Sequence, residues 1–301
     1  MALLLVADVD ADEQALWLRC LREAMPGETL VTDRSTVDAS AIDVAIVAKP
    51  PAGSLQGLPK LRLIQSLWAG VDRLLQDRTI PADVPLARMV DPAMNQAMAQ
   101  TALWAVLGLH RRFFDYAAQQ RDAQWLQHAQ LRSDEITVAV LGLGQMGRTV
   151  MQRLQEQDYR TLGWSRTDGL GTLPDVLAHS DIVINLLPLT EATASLFDKA
   201  RFAQMKRGAA LVNLARGGHV VDDDLVEALD SGQVSRAVLD VFRSEPLPAG
   251  HAFWSHPRIT VLPHVAAWTD ARSASAVVAK NVAALRSGAP IEHLVDRTRG
   301  Y

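Results

Sequence analysis

Three ionisable residues in the second half of the chain stand where they could share one site. Arg216 lies in NLARGG, Glu245 in VFRSEPLP and His264 in VLPHVAAWTD. Each is placed at the end of an apolar run that predicts a strand, and ligands of open α/β sheets bind beside the carboxyl ends of the strands. We therefore predict that the three side chains face one crevice. Two alternatives stay open here, since a single arginine can hold the end of a helix and most histidines are not catalytic.

A glycine-rich turn precedes these segments. The sequence VAVLGLGQMG places Gly142, Gly144 and Gly147 as G-x-G-x-x-G between a predicted strand and a predicted helix. In that context the first glycine makes the turn, the second lets the backbone approach a pyrophosphate, and the third lets the helix pack on the strand. Backbone amides at the helix start, including those of Gln145 and Met146, attract phosphate groups. We predict a dinucleotide-binding site; the alternative is a tight turn without a ligand.

The end of the next predicted strand indicates which dinucleotide binds. Enzymes that use NAD carry an acidic residue about 20 residues further on, which accepts a hydrogen bond from the ribose 2′-hydroxyl. This chain has Ser165 followed by Arg166 at that place. Serine and arginine bind a 2′-phosphate that a carboxylate would repel. We predict NADP, with NADPH preferred over NADH; the alternative is that Arg166 is merely exposed and Asp168 binds the ribose.

The order of the predicted elements indicates an α/β protein. Short apolar strands alternate with amphipathic helices, which predicts parallel sheets covered on both faces. We expect strands at 3–7, 43–48, 61–66 and 86–90, and then at 136–141, 159–164, 181–186, 209–214, 235–240 and 258–262. We expect helices at 11–24, from Pro92 through 94–118, and at 269–286.

Six strands in the second series predict a Rossmann-type dinucleotide-binding domain. The helix at 94–118 precedes that series and the helix at 269–286 follows it. We therefore predict that this domain is inserted into a flavodoxin-like substrate domain. The substrate domain would comprise 1–92 and 270–301, and the dinucleotide-binding domain 93–269. Small and apolar residues recur along the helix at 94–118, so we expect it to be buried against the next domain or against a second subunit.

The composition excludes several other classes of protein. The 301 residues carry a net charge of −4 and no basic stripe that would bind a nucleic-acid backbone. Cys20 is the single cysteine, so no internal disulfide and no thiolate metal site can form, and we predict no metal ion. The N-terminal apolar run is too short for a signal peptide, and no segment has the roughly 20 apolar residues that span a bilayer. We predict a cytoplasmic protein without membrane or nucleic-acid partners.

Several motifs in order make the chain similar to a known family. They are SLWAGVD at 66–72, the GLGQMG turn, INLLPLT at 184–190, NLARGG, LDVF at 239–242, SEPLP and PHVAAWT. Nearly the whole chain resembles the D-isomer-specific 2-hydroxyacid dehydrogenases. The short interval between Glu245 and His264, the WSR cofactor turn and the HRRFFDY helix most resemble the glyoxylate/hydroxypyruvate reductase A branch.

The resemblance implies roles for the three ionisable residues. Arg216 would hold the carboxylate and the keto oxygen of a 2-ketoacid, which suits its planar, bidentate guanidinium. His264 would donate a proton while hydride from the nicotinamide reaches C2. Glu245 would orient the imidazole and favour its protonated form. The implied activity is NADPH-dependent reduction of small 2-ketoacids, such as glyoxylate and hydroxypyruvate, to 2-hydroxyacids.

The resemblance also implies contacts outside this trio. In SLWAGVD, the backbone amides of Ala69, Gly70 and Val71 would bind the substrate carboxylate, and Trp68 would either wall the pocket or simply pack. The implied cofactor contacts that remain are Leu187, Pro188, Leu189, Thr190, Leu214, Ala215 and Asp240. Asp240 could instead cap the end of a strand.

Two departures leave the substrate open. Relatives usually carry a carboxylate where this chain has Gln100, and the favoured branch generally has an aromatic residue where Ala48 stands. Lys49 could add a cation for a second carboxylate, or be only solvated. The alternatives are therefore a reductase of a bulkier 2-ketoacid and a non-catalytic NAD(P)-sensing binding protein on the same fold. The family also implies a homodimer formed through the dinucleotide-binding domain.

Overall fold

Strands and helices alternate along the chain, as the computed structural model of residues 1–166 and 171–301 describes them. The strands are β1 (Ala2–Ala7), β2 (Thr29–Val31), β3 (Ile42–Ala48), β4 (Leu63–Ser66), β5 (Leu86–Ala87), β6 (Thr137–Leu141), β7 (Arg160–Trp164), β8 (Ile182–Asn185), β9 (Ala209–Asn213), β10 (Val234–Leu239) and β11 (Ile259–Val261). The helices are α1 (Ala11–Ala24), α2 (Asp72–Gln76), α3 (Pro92–His110), α4 (Phe113–Arg121), α5 (Gln145–Gln155), α6 (Leu173–Ala178), α7 (Lys199–Gln204), α8 (Asp222–Asp230) and α9 (Ala271–Ser287).

The chain divides into two compact units. Unit 1 comprises residues 1–94 and 269–301, and unit 2 comprises residues 95–268. Unit 2 thus interrupts unit 1 in the sequence, and the predicted α/β class is confirmed. The assignment of the units to substrate and to dinucleotide, with its boundaries, stays a prediction. Among the helices that the structure describes, none combines the length and the apolar character needed to cross a membrane.

Unit 1 is built on a five-stranded sheet in which every pair of neighbours is parallel. The strand order β2-β1-β3-β4-β5 is the order of flavodoxin-like folds. The central strand β3 is buried along its whole length, as expected where both faces are covered. Strand β2 was not predicted, because its three residues are partly exposed and form no apolar run.

Unit 2 contains a six-stranded parallel sheet in the order β11-β10-β9-β8-β6-β7. Strands β7 and β8 lie on opposite sides of β6, so the direction of winding reverses there. In doubly wound sheets such a switch point opens a crevice at the carboxyl ends of the strands, and ligands bind in it. The six predicted strands therefore place their carboxyl ends at one edge.

The long helix predicted over 94–118 is two helices in the structure. Helix α3 ends at His110, and Arg112 adopts a left-handed conformation with φ 57° before α4 begins. A Cβ added to Gly108 would lie 2.5 Å from the ring of Phe114. The chain therefore folds back so that this ring packs on the bare glycine backbone. The buried face of α3, which includes Ala102 and Ala105, packs in the core of unit 2.

An ion cluster in unit 1 attaches the returning helix α9 to the sheet. The guanidinium of Arg286 donates to both carboxylate oxygens of Glu28, at 2.9 and 2.8 Å, and to both oxygens of Asp43. Asp43 lies on β3 and is 1% exposed. A buried carboxylate of this kind is stable only while its cation is present. The hydrogen bonds from Arg286 also lower the pKa of Glu28.

We expect Arg286→Met to lower the free energy of unfolding by about 3 kcal/mol at neutral pH, because it leaves Asp43 buried without a cation. The stability that Glu28 contributes is present above its ordinary pKa and is lost as the pH falls through its lowered folded value. The decrease in the free energy of unfolding caused by Arg286→Met should therefore be smaller at acidic pH. Denaturant titrations at neutral and acidic pH measure it.

Arg272→Met is the matched control, because Arg272 pairs with Asp270 on the surface and its side chain is 82% exposed. This variant should change the free energy of unfolding far less, since solvent screens an exposed pair. Equal losses in the two variants would contradict the role given to the buried cluster.

Candidate active site

The predicted glycine turn connects β6 to α5 at the switch point of the unit 2 sheet. Gly142 has φ 101°, and a Cβ there would lie 2.6 Å from the Leu186 carbonyl oxygen. A Cβ on Gly147 would lie 1.8 Å from the Gly142 carbonyl oxygen, so α5 packs on the turn only because this residue is glycine. Gly144 caps α5 and faces open space. The turn and the helix N-terminus, with Gln145 and Met146, therefore fit a dinucleotide pyrophosphate.

Ser165 and Arg166 follow β7, the strand next to β6. Leu141 pairs with Trp164 in the sheet, and the Gly142 amide donates to the Trp164 carbonyl oxygen at 2.7 Å. The two predicted selectivity residues thus stand beside the glycine turn, and Arg166 is exposed. The alternative ribose ligand Asp168 lies outside the described residues.

Two further predicted cofactor segments follow the neighbouring strands β8 and β9. After β8, the Thr193 hydroxyl donates to the Pro188 carbonyl oxygen at 2.7 Å and accepts from the Thr190 amide at 2.8 Å, which closes the turn after Leu187. After β9, Leu214 and Ala215 are 4% and 7% exposed. Their backbone can therefore line a crevice, while their side chains belong to the core.

His264 and Glu245 form a hydrogen-bonded pair. His264 Nδ1 lies 2.8 Å from Glu245 Oε2, and the Phe242 amide donates to the other carboxylate oxygen at 2.9 Å. The imidazole is 51% exposed, and no group in the described part of the chain bonds its Nε2. Burial raises the pKa of Glu245, but the hydrogen bonds from His264 and Phe242 outweigh it, and the net pKa lies below the ordinary value. The pair can therefore work as an oriented acid.

Asp240 holds the loop that carries His264. Its carboxylate oxygens accept from the amides of Val265 and Ala266 at 2.7 and 3.0 Å, and its carbonyl oxygen accepts from the His264 amide at 2.9 Å. These bonds support His264 in a left-handed conformation with φ 56°. Burial raises the pKa of Asp240 despite the two amide donors. The carboxylate thus has a structural partner, and its predicted contact with the nicotinamide stays a prediction.

Arg216 completes the cluster from the neighbouring strand β9. Its guanidinium is partly buried, and one nitrogen donates to the Ala215 carbonyl oxygen at 2.7 Å. Its charge contributes to lowering the pKa of Glu245, so the two groups interact electrostatically. Strands β9, β10 and β11 are neighbours, and each one carries its ionisable residue just beyond its carboxyl end. The structure therefore brings Arg216, Glu245 and His264 together at one edge of unit 2.

The predicted substrate loop belongs to unit 1, where it connects β4 to α2. The Ser66 hydroxyl accepts from the Trp68 amide at 3.0 Å and donates to its carbonyl oxygen at 2.9 Å, which shapes the turn. Within the described residues, the amides of Ala69, Gly70 and Val71 have no hydrogen-bond acceptor. Such a run of free amides suits a carboxylate. The indole ring of Trp68 packs edge-on against a second tryptophan with a centroid distance of 6.4 Å, which supports the packing role.

The structure places the two departures from the family pattern, Ala48 and Gln100, and also Lys49. Ala48 ends β3 and is 1% exposed, so it offers almost no surface to a ligand. Lys49 is exposed and has φ 47°. Gln100 lines a shallow groove of unit 2 with Leu262 and Val265.

Three polar side chains at the same edge of unit 2 were not predicted from the sequence. Asn185, Asn213 and His219 are all 0% exposed. A usable signal was present, because β8 and β9 each end in an asparagine directly after an apolar run. His219 carries no comparable signal, since a histidine after a glycine pair is ordinary in a surface turn.

Comparison with known proteins gives full-length relatives. The family described as "D-isomer specific 2-hydroxyacid dehydrogenase, NAD binding domain" matches residues 103–266. Glyoxylate/hydroxypyruvate reductase A of Serratia proteamaculans (strain 568) is 38% identical over 300 residues, which cover 95% of this chain and 96% of that protein.

Solved structures agree over the same length. The D-isomer specific 2-hydroxyacid dehydrogenase of Xanthobacter autotrophicus Py2, in complex with NADPH and MES, is 36% identical with a TM-score of 0.94, covering 100% of this chain and 99% of that one. The NADPH-dependent glyoxylate/hydroxypyruvate reductase of Sinorhizobium meliloti, in complex with NADP and sulfate, is 32% identical with a TM-score of 0.92 and the same coverage. The predicted NADP cofactor is thus the one bound in both relatives. The chain belongs to the D-isomer specific 2-hydroxyacid dehydrogenase family, and the predicted class of NAD(P)-dependent oxidoreductase is confirmed.

Proposed function

We propose that this enzyme reduces small 2-ketoacids, such as glyoxylate and hydroxypyruvate, to 2-hydroxyacids with NADPH. The observation that carries the proposal is the Glu245–His264 pair, which stands on the strand edge that also bears Arg216 and the glycine turn. The names of the relatives from Serratia proteamaculans and Sinorhizobium meliloti support the same substrates.

The residues divide the chemistry among them. Arg216 binds the carboxylate and the keto oxygen of the substrate, and the free amides of Ala69, Gly70 and Val71 add donors for the carboxylate. Bound NADPH supplies the hydride that reduces C2. His264 gives a proton from Nε2 to the keto oxygen, because its Nδ1 is held by Glu245. The carboxylate of Glu245 keeps the ring oriented and compensates the charge of the imidazolium.

NADPH is proposed over NADH because of Ser165 and Arg166. Both residues stand beside the glycine turn, where the adenosine ribose of a dinucleotide lies in this class of fold. An exposed guanidinium at this point pairs with a 2′-phosphate and gains little from a 2′-hydroxyl. The NADPH and NADP bound to the two solved relatives support the same assignment.

A bulkier 2-ketoacid is the second candidate substrate. It rests on the sequence alone, because the related branch generally has an aromatic residue where this chain has Ala48, which ends β3 and is 1% exposed. Relative kcat/KM values over a series of 2-ketoacids of increasing side-chain size distinguish the two.

Three further assignments stay predictions. Unit 1 would be the substrate domain and unit 2 the dinucleotide-binding domain. The protein would be located in the cytoplasm. The homodimer would form through unit 2, and the exposed apolar side chains of Trp104, Phe113 and Trp125 in that unit support it.

The test of the proposed function is oxidation of NADPH and NADH, followed at 340 nm with glyoxylate, hydroxypyruvate and longer 2-ketoacids. We expect fast oxidation of NADPH with the two small substrates and slow oxidation of NADH. Preference for NADH would overturn the cofactor assignment and leave the reaction standing. Tight NADPH binding without turnover of any 2-ketoacid would instead favour the non-catalytic sensor.

Arg166→Ala should raise the KM for NADPH by about 10–100-fold, because a charge-assisted hydrogen bond to the 2′-phosphate is lost. The KM for NADH should change less than about twofold. Arg160→Ala is the control, since Arg160 is exposed at the opposite end of the same strand β7 and should leave both values unchanged. Equal effects of Arg166→Ala on the KM values for NADPH and NADH would contradict the contact between Arg166 and the 2′-phosphate.

His264→Ala should lower kcat by about 10²–10⁴, because the proton donor is lost, while the Kd for NADPH measured by fluorescence stays nearly constant. Glu245→Gln should also lower kcat, but by a smaller factor than His264→Ala. Since the pKa of Glu245 is lowered, protonation of this carboxylate should reduce wild-type activity only below its ordinary value of 4.5. His179→Ala, which changes an exposed histidine at the end of α6, should have no effect. Near-normal turnover of His264→Ala would dismiss His264 as the acid.

A further inference from the structure

His219 is a fully buried histidine that the proposed reaction does not use. It ends the short turn that follows Arg216. Its ring nitrogen Nδ1 lies 3.0 Å from Asn185 Nδ2 and 3.1 Å from the carbonyl oxygen of Arg216, and its Nε2 lies 3.3 Å from the carbonyl oxygen of Pro188. One imidazole therefore contacts both the backbone of the ketoacid-binding arginine and the predicted cofactor turn after β8.

Asn185 and Pro188 favour the tautomer of His219 that carries the proton on Nε2. The Leu187 amide donates to Asn185 Oδ1 at 3.2 Å, so the atom that Asn185 turns toward the imidazole is Nδ2, which can only donate. The Pro188 carbonyl can only accept. With the proton on Nε2, this nitrogen donates to Pro188 and Nδ1 accepts from Asn185; the 3.1 Å approach of Nδ1 to the Arg216 carbonyl oxygen is then a packing contact, because both atoms present lone pairs. The imidazole thus bridges Asn185 and Pro188, while the Arg216 carbonyl oxygen accepts from Asn213 Nδ2 and from the His219 amide.

Asn213 extends the network to both sides of the arginine. Its Nδ2 donates to the carbonyl oxygen of Arg216 at 3.0 Å, while its Oδ1 accepts from the Ala215 amide at 3.3 Å and from Asn185 Nδ2 at 3.0 Å. The backbone amide of His219 donates to the same Arg216 carbonyl at 3.3 Å. The Ala215 amide and the Arg216 carbonyl are thus both held by the Asn213 side chain, which Asn185 from the neighbouring strand β8 holds in turn.

Folding alone gives little reason to bury these groups. Each of Asn185, Asn213 and His219 is 0% exposed and loses its hydration, a cost that apolar residues of similar size would avoid. The sheet does not need their side chains, because β8 and β9 are already joined by main-chain pairing. A fully bonded polar network of this kind specifies one geometry. The geometry that it specifies is that of the arginine loop against the cofactor turn.

We propose that His219, acting with Asn185 and Asn213, is a positioning residue that sets Arg216 relative to the cofactor turn at Pro188. The inference rests on the proposed function, because it assumes that Arg216 binds the ketoacid. His219 touches neither substrate nor cofactor in this role. Its effect passes through the backbone of Arg216, whose displacement by about 1 Å would be enough to cost about 10²-fold in rate.

The test is a double-mutant cycle of His219→Ala and Arg216→Lys, with kcat/KM for glyoxylate and hydroxypyruvate as the readout. We expect each single variant to lose at least about tenfold. The double variant should lose less than the product of the two factors by at least about tenfold, because residues that act through one contact are not additive. A residue that only stabilises the fold would give effects that multiply.

Ser180→Ala is the matched control. Ser180 is also 0% exposed in unit 2, and its hydroxyl donates to the Val176 carbonyl oxygen at 2.6 Å, away from the network. Its effect should multiply with that of Arg216→Lys. Thermal unfolding of all variants separates a loss of folded enzyme from a loss of kcat/KM.

His219→Gln provides a second cycle if His219→Ala does not fold, since its amide can still donate to the Pro188 carbonyl. It is read by the same criterion. If the wild-type enzyme turns over 2-ketoacids normally but the effects of the two substitutions on kcat/KM multiply, the positioning role is overturned and the proposed function stays intact. A wild-type enzyme that turns over no 2-ketoacid would overturn the proposed function and this inference with it.

Discussion

The common direction of the strands in unit 2 is the constraint on which the site depends. Because all neighbours in this sheet are parallel, the segments after β6, β7, β8, β9, β10 and β11 begin at one edge. The glycine turn, Ser165, Arg216 and His264 stand there for that reason, although they are far apart in the sequence. One antiparallel strand would have moved its functional residue to the opposite edge.

Parallel strands bring the groups to one edge, and hydrogen bonds to the backbone orient them. Asp240 accepts from the two amides that follow His264, and Glu245 accepts from the Phe242 amide as well as facing the imidazole. Both carboxylates are therefore fixed by main-chain donors that need no further ordering when substrate binds. Electrostatic groups fixed in advance in this way are the most effective in catalysis. The buried amides and imidazole around Arg216 follow the same pattern.

Much of the fold, and the grouping of the candidate catalytic residues at one sheet edge, could be predicted from the sequence, because the signals for them are local. Apolar runs gave all six strands of unit 2, and G-x-G-x-x-G identified a turn at which two of the glycines are required sterically. Arg216, Glu245 and His264 were singled out as ionisable residues that follow apolar runs predicted to be parallel strands; their roles stay predictions. The insertion of one unit into the other followed from the order of helices and strands.

Contacts between distant segments decided the rest. The break between α3 and α4 depends on the packing of Phe114 over Gly108, which helix periodicity does not contain. The anchoring role of Asp240 depends on where the chain returns 25 residues later, and that distance is set by the sheet. In the sequence, Asn185 and Asn213 end apolar runs and His219 follows a glycine pair, but nothing there shows that the three side chains bond one another. By itself the sequence determined which groups this protein has for chemistry; the tertiary structure decided their partners, because the hydrogen bond of a buried polar group depends on its neighbours in space.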